Sequence, residues 1–264
     1  MVFSDTLQYN SDKVNGSAIK QIQEEQDTDS IYLEKLLNKA VIIAGKNKSK
    51  EVFEEQYTDI MPDSSYQVEV NLRNDFFFSK KITHLVIRRK ITGLIYIDIF
   101  FKKNNEFLKV ISHEESEMTY VNDTIRDING DGVKDFVVNW YGSNGCCLKA
   151  FSNVYLLRSD NTFSKSFEFI NPTFDPKEKI IRGVCYGHPG DTEMYKYKWK
   201  GENVDTLEYV FYEKSNKGIK TGKVMVSTDY PNSKAAKVLK VLNSAPTEYK
   251  TIYGYNWFTG EGYD

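Results

Sequence analysis

The chain is poor in the residues whose chemistry is easiest to recognise. Its 264 residues include three cysteines, three histidines and six prolines. Three cysteines suit neither a zinc site nor a disulfide-dense small domain. No run of 18 apolar residues occurs, so no membrane-spanning helix is expected. Basic and acidic residues number 35 and 37, a net charge of −2, which gives no electrostatic reason to expect nucleic acid as a partner.

Familiar catalytic motifs are also absent. The sequence contains no nucleophile elbow, phosphate-binding loop, His-Glu-x-x-His zinc motif or dinucleotide-binding glycine pattern. One histidine, His188, lies in the constrained segment Gly187–Asp191. His188 and Asp191 together could form an acid–base pair, so a hydrolase using His188 stays open as an alternative function.

Aromatic residues are abundant instead, with 18 Tyr and 16 Phe. Together with Ile and Val runs they favour β-strands. From Tyr66 to Ser227, extended segments recur at intervals of 8–12 residues and are separated by polar turns. We therefore predict a mainly β fold (α+β overall), an antiparallel β-sandwich or meander preceded by an N-terminal helical segment.

The predicted domain organisation has three parts: a flexible leader over 1–30, a helical segment over 31–62 and a β domain over 66–264. A helix is expected from Ser30 because apolar residues recur at spacings of three and four. Three further elements are predicted, namely a short helix over Lys48–Gln56, a short helix over Ser233–Asn243 and an edge strand over Tyr253–Phe258.

The most specific motif is the nine-residue segment Asp127–Asp135, which reads DINGDGVKD. Calcium takes six to eight oxygen ligands, and alternating oxygen-bearing side chains allow one loop to surround one ion. The expected ligands are listed in chain order: Asp127, Asn129, Asp131, the carbonyl of Val133, and Asp135. A polar turn between two strands is the alternative interpretation, but such a turn does not need Asp127 or Asp135.

The loop differs from an EF-hand. An EF-hand has a bidentate Glu at position 12 and flanking helices, whereas position 12 here is Val138 and Phe136–Trp140 is typical of a strand. We therefore expect one Ca²⁺ loop between two strands. Because cytosolic free calcium is too low to fill ordinary structural sites, this predicts an exported protein of the periplasm or cell surface.

The loop resembles the calcium loops of integrin-α-type β repeats, and a wider pattern resembles bacterial periplasmic or lipoprotein β domains. Some members of the latter inhibit lysozyme-like hydrolases or act as immunity proteins. The residues that carry this resemblance are Asp127–Gly132, Val154–Leu157, Phe174–Asp175, Ile181–Gly183 and Tyr197–Trp199. The resemblance implies a partner protein, such as a secreted toxin or hydrolase, and allows a lipid anchor upstream of Met1. In such inhibitors a loop with Ser, Gly and an aromatic residue enters the hydrolase cleft, and Tyr141–Gly145 is its nearest equivalent.

The cysteines suggest how a binding surface could be held. Neighbouring side chains of an extended segment point to opposite faces, so one of Cys146 and Cys147 could face Cys185. We predict one disulfide from Cys146 or Cys147 to Cys185, with Cys147 and Cys185 taken as the working pair, and it would indicate an oxidising compartment. Three buried free thiols are the alternative.

Such a disulfide would pin two glycine-rich segments together and form a surface from their polar and aromatic side chains. The predicted partner-binding residues are Tyr141, Ser143, Asn144, Tyr186 and His188. Tyr and His combine contact area with polar tips, as interface anchors do. The leading expectation is an exported calcium-binding β domain that binds another protein, and the resemblance implies a role as inhibitor or immunity protein against a cell-wall-degrading toxin. An envelope lipoprotein that binds carbohydrate is the second.

Overall fold

The structure is a computed structural model that describes residues 16–61, 67–104, 106–142, 145–231 and 237–263, with side chains described from residue 30 onward. It begins with a helix, α1, over Gly16–Lys46. The apolar stripe of α1 is buried at Leu33, Leu36, Leu37 and Ala40, as its spacing predicts. The helix covers one face of the first β-sheet.

Three antiparallel sheets follow, and in each of them neighbouring strands are consecutive along the chain. The first contains β1 (Phe53–Ile60), β2 (Gln67–Asp75), β3 (His84–Ile91), β4 (Leu94–Lys103) and β5 (Glu106–Ser116). The middle sheet contains β6 (Tyr120–Arg126), β7 (Asp135–Tyr141), β8 (Ala150–Tyr155) and β9 (Phe167–Ile170). The last contains β10 (Pro172–Asp175), β11 (Ile180–Val184), β12 (Met194–Lys200), β13 (Asn203–Lys214), β14 (Lys220–Ser227) and β15 (Val238–Leu242). The predicted mainly β, antiparallel fold is confirmed.

Four apolar clusters bind these elements into layers. The first joins α1 to the first sheet. The second lies between the first and middle sheets and includes Ile97 and Phe136. The third lies between the middle and last sheets and includes Val137 and Ile181. The fourth lies between the last sheet and the C-terminal segment and includes Trp257. The middle sheet is therefore packed on both faces, which agrees with the three consecutive buried apolar residues Phe136–Val138 of β7.

An ion pair and a backbone contact fix α1 on the first sheet. Arg89 is buried, and its guanidinium donates to Asp98 Oδ2 at 2.7 Å and to the carbonyl of Leu33 at 2.6 Å. Arg88 makes a second link, because it donates to both carboxylate oxygens of Asp123 on β6. These two arginines therefore tie neighbouring layers together.

Several predicted boundaries are wrong. Helix α1 begins at Gly16, inside the predicted leader 1–30; residues 1–15 of that leader lie outside the described residues. The predicted helix over Lys48–Gln56 is replaced by β1, which pairs along its whole length with β2. Strand pairing thus overrides local helix preference, and the segment 31–62 is only partly helical.

The C-terminal predictions are also reversed. The part of Ser233–Asn243 that the structure describes contains the strand β15, and the predicted edge strand Tyr253–Phe258 contains a short helix, α2, over Tyr255–Thr259. Glycines in the left-handed conformation, Gly254 and Gly260, flank α2, and a left-handed glycine is a common helix terminus. No helix in the described residues is long and apolar enough to cross a membrane.

Candidate metal sites and binding surface

The loop Asp127–Asp135 joins β6 to β7, which form a hairpin in which Arg126 pairs with Asp135. Its predicted place between two strands is therefore confirmed. Gly130 and Gly132 have φ of 74° and 85°, a backbone conformation that side chains with a Cβ rarely adopt. The two glycines allow nine residues to turn within one connection.

Side chains of the loop are held by its own backbone. The carboxylate of Asp127 accepts N–H groups from Gly130 at 2.7 Å and Gly132 at 2.9 Å. Asn129 Oδ1 accepts from the Asp131 N–H at 3.0 Å, and Asp131 Oδ1 accepts from the Val133 N–H at 2.8 Å. These contacts are local Asx turns, and they fix the side chains at loop positions 1, 3 and 5.

Asp135 connects the loop to the interior. It is fully buried, and its two carboxylate oxygens accept N–H groups from Ile128 and Leu157, each at 3.0 Å. The pKa of Asp135 is raised to about 7, chiefly by burial and also by the negative charges of Asp131 and Asp127, against the lowering effect of the two N–H donors. The carboxylate therefore lies where a nearby cation would be favourable.

The loop is also docked against the last sheet. Ile128 is fully buried in the cluster between the middle and last sheets. A Cβ on Gly130 would lie 1.9 Å from the carbonyl oxygen of Pro176, in the turn between β10 and β11. The loop consequently contributes to the contact between two sheets in addition to closing the β6–β7 hairpin.

The donor set of this loop fits calcium. Asp127, Asp131 and Asp135 supply carboxylates, Asn129 an amide oxygen and Val133 a backbone carbonyl, all of which are hard oxygen donors. In the part of the chain that the structure describes, the carboxylates of Asp127, Asp131 and Asp135 do not form a group whose ligand atoms all lie within 4.8 Å of one another. The assignment of Ca²⁺ therefore depends on donor chemistry and on the buried charge of Asp135.

The predicted disulfide is wrong, because all three cysteines are free. Cys146 and Cys147 lie in a bend and not on an extended strand, so their side chains do not alternate between faces. Cys185 follows β11 and donates its backbone N–H to Glu193 at 2.8 Å; burial raises the pKa of its thiol to about 12. The argument from a disulfide to an oxidising compartment consequently falls away.

The bend instead brings the two adjacent thiols to His188. Cys146 Sγ lies 3.9 Å from Cys147 Sγ and 3.3 Å from His188 Nδ1. The three ligand atoms all lie within 4.8 Å of one another, the one group of three or more His, Cys, Asp or Glu side chains with this property in the described part of the chain. We call Cys146, Cys147 and His188 the thiol–imidazole cluster.

His188 and Asp191, the predicted acid–base pair, are linked through their backbones. The backbone N–H of Asp191 donates to the His188 carbonyl at 3.0 Å, while its carboxylate accepts from Lys214 Nζ at 2.5 Å. The lysine lowers the pKa of Asp191. The imidazole of His188 thus has a thiol as the neighbour of its Nδ1 atom, and Asp191 is engaged in an ion pair.

The structure places part of the predicted partner surface around this cluster. Tyr186 is 57% exposed, and the neighbouring Cys147 thiol raises the pKa of Tyr186. Tyr141, at the end of β7, is 41% exposed. Ser143 and Asn144 lie outside the described residues. Tyr186 and His188 are therefore brought to the cysteines without a disulfide.

Two exposed aromatic side chains were missed by the sequence analysis. Tyr253 and Tyr263 are both about half exposed, and Tyr253 is close enough to Tyr141 and Tyr263 for its pKa to be raised by them, after the larger effect of burial. The sequence shows that the tail is aromatic, but predicting an edge strand there gave no reason to place Tyr253 near Tyr141. We call Tyr141, Tyr186, Tyr253 and Tyr263 the tyrosine surface.

Comparison of the chain with protein-family models, with curated proteins and with solved structures found no match.

Proposed function

We propose that this chain is a calcium-stabilised β protein that binds another protein through the tyrosine surface. The observation that carries the calcium part is the buried carboxylate of Asp135, which connects the loop backbone at Ile128 to Leu157 after β8. An ion bound by Asp127, Asn129, Asp131 and the Val133 carbonyl would offset the repulsion among the carboxylates. The ion would thereby stabilise the contact between the middle and last sheets.

The binding part is supported by composition and exposure. Tyr253 neighbours Tyr141 and Tyr263, and the Tyr263 ring contacts Trp257, which is hydrogen-bonded to Gly187 beside Tyr186. Their side chains are exposed, and tyrosine supplies interface contact area with a polar tip. The loop that carries His188 is rigidly held, because the Trp257 indole donates to the Gly187 carbonyl at 2.9 Å and the Gly190 N–H donates to the Trp257 carbonyl at 2.7 Å. A pre-ordered surface loses less conformational entropy on binding.

The narrower proposal is that the partner is a cell-wall-degrading toxin or a lysozyme-type hydrolase. It is supported by the resemblance of the loop and the following strands to inhibitor and immunity domains. Export to the periplasm or cell surface is part of this proposal and now depends on calcium alone, since the cysteines are free. Carbohydrate binding by the same tyrosines is the second candidate.

Thermal unfolding tests the calcium part. The melting temperature of the full chain should be higher in millimolar calcium than in EGTA, because an ion that binds only the folded state stabilises it, by about 2.7 kcal/mol at a hundred times its Kd. Asp131→Asn keeps the acceptor for the Val133 N–H but removes one charge, so it should reduce the calcium-dependent shift.

Asp160→Asn is the matched control, because Asp160 forms a similar local turn by accepting from the Thr162 N–H at 3.0 Å outside the loop. This variant should keep the full calcium-dependent shift. Equal melting temperatures of the unmodified chain in calcium and EGTA would exclude a structural calcium site.

Inhibition of a lysozyme-type hydrolase tests the binding part. Lysis of a bacterial cell-wall suspension should slow when the chain is added, and Tyr186→Ala or Tyr253→Ala should relieve the inhibition. Leu207→Ala, at a 38% exposed position on β13, is a control for loss of an exposed apolar side chain elsewhere. Binding of purified cell-wall glycan with unchanged hydrolase activity would favour the carbohydrate alternative.

A further inference from the structure

The thiol–imidazole cluster combines ligand types that the calcium loop lacks. Two thiols and one imidazole are soft or borderline donors, which select Zn²⁺ or Cu(I) over Ca²⁺. Cys146 is exposed and Cys147 is 7% exposed, so one side of the cluster faces solvent and the other faces the core. An ion could therefore enter from solvent and be held against a packed wall.

Two of its three ligand–ligand distances agree with tetrahedral coordination, and all three lie within 4.8 Å. Zn–S bonds of about 2.3 Å and Zn–N bonds of about 2.0–2.1 Å, at tetrahedral angles, put two sulfurs about 3.8 Å apart and a sulfur and a nitrogen about 3.5 Å apart. The structure has 3.9 Å between the two sulfurs and 3.3 Å between Cys146 Sγ and His188 Nδ1. A disulfide would need the sulfurs about 2.05 Å apart.

The ligands are positioned by contacts outside the cluster. Cys147 packs among Val184, Met194 and Trp257, which fixes the buried side. The imidazole is carried by the segment that Trp257 holds through Gly187 and Gly190. The same tryptophan thus braces both sides of the cluster, and little reorganisation is needed before an ion binds.

We propose that Cys146, Cys147 and His188 bind one Zn²⁺ ion and leave a fourth coordination position open to water or to a ligand. Binding replaces the proton of each thiol by a metal–sulfur bond, so two protons are released when both thiols start protonated. Three protein ligands with an open fourth position are the arrangement of reactive zinc sites, whereas closed structural sites use four. Tyr186 neighbours both cysteines, so the site adjoins the tyrosine surface.

Metal titration of the reduced full chain tests this proposal. Co²⁺ serves as a spectroscopic substitute for Zn²⁺, and it should give thiolate-to-metal charge-transfer absorption and the visible bands of tetrahedral cobalt at one equivalent. Zn²⁺ should then displace it and abolish the visible bands. Equilibrium dialysis should find one Zn²⁺ per chain, with proton release measurable in weak buffer.

Variants separate the cluster from other thiols. Cys146→Ser and His188→Gln should each weaken Zn²⁺ binding at least tenfold and remove the tetrahedral bands, whereas Cys185→Ala should bind as the unmodified chain does. Circular dichroism would show that the exposed Cys146 variant remains folded. Unchanged binding in Cys146→Ser and His188→Gln, or cobalt spectra without charge transfer, would overturn the proposal.

The zinc site is independent of the calcium loop. Asp131→Asn should bind Zn²⁺ normally even though its calcium response is reduced, and His188→Gln should keep a normal calcium response. If Cu(I) binds with thiolate charge transfer while Zn²⁺ and Co²⁺ do not bind, the assignment to Zn²⁺ is wrong.

Discussion

The calcium loop and the thiol–imidazole cluster place metal-binding side chains by two different routes. In the loop, nine consecutive residues orient their own oxygens mainly through backbone N–H groups, and Asp135, at the end of the loop, is fully buried. In the cluster, two adjacent cysteines meet a histidine about 40 positions later, brought there by the last sheet and α2. The geometry of a contiguous motif can be predicted from its sequence, whereas a site built from separate segments can be located only once the fold is known.

The largest difference between the regions should come from the two loop glycines. In Gly130→Ala, the added Cβ would meet the Pro176 carbonyl oxygen at 1.9 Å. This clash with backbone, added to the strain of a positive φ, should cost about 3 kcal/mol or more. Urea unfolding measured in EGTA would give this cost without any contribution from bound metal.

Gly132→Ala is the control for that substitution. Gly132 has a similar positive φ, but nothing lies within 4 Å of an added Cβ, so the cost should be about 1 kcal/mol from backbone strain alone. If the two variants lose equal stability, Gly130 does not dock the loop against the last sheet.

A second comparison concerns how stability depends on pH, and it contrasts the buried His84 of the core with the exposed His188 of the thiol–imidazole cluster. His84 is fully buried beside Phe78, with ring centroids 4.8 Å apart, and burial lowers its pKa from 6.5 to about 4. Between these values the unfolded chain binds the additional proton, so stability falls as pH falls from 6.5 to 4, by about 3 kcal/mol in total. Above pH 6.5 this contribution is complete.

Urea unfolding at pH 7 and pH 5 would measure the effect. The raised pKa of Asp135 has the opposite effect, because the folded chain takes up that proton before the unfolded chain and gains stability as pH falls below 7. His84→Leu should therefore shift the change in unfolding free energy between pH 7 and pH 5 toward greater stability at pH 5, whereas His188→Gln should leave that change as it is in the unmodified chain when no metal is present. The charged group directly across the strand pair is Asp75 on β2. A charge-neutral Asp75→Asn variant tests whether that carboxylate contributes. A pH dependence identical in His84→Leu and the unmodified chain would contradict the assignment.

These comparisons also show what sequence could predict. The antiparallel β fold, the apolar stripe of α1 and the loop between β6 and β7 follow from periodicity and from nine consecutive residues. The predicted disulfide with Cys185 requires Cys146 and Cys147 to lie on an extended segment. They lie in a bend instead, and all three cysteines are free. Tertiary pairing likewise turned the segment before Ile60 into β1. Strand pairing and backbone bends, which apolar periodicity does not record, account for these failures.

The smallest expected effect concerns the cluster without metal. Cys146 is exposed, and removing its thiol creates no cavity, so Cys146→Ala should change the unfolding free energy by no more than about 0.5 kcal/mol. Cys147→Ala removes a buried sulfur from the cluster that contains Val184 and Trp257, and it should cost about 1 kcal/mol. Urea unfolding in EDTA measures both.

Zn²⁺ should then widen the difference between Cys146→Ala and the unmodified chain, because only the latter gains stability from the ion. If Cys146→Ala is less stable than Cys147→Ala in EDTA, the exposed thiol contributes to folding. The cluster would then contribute to the stability of the fold without metal, as the calcium loop does.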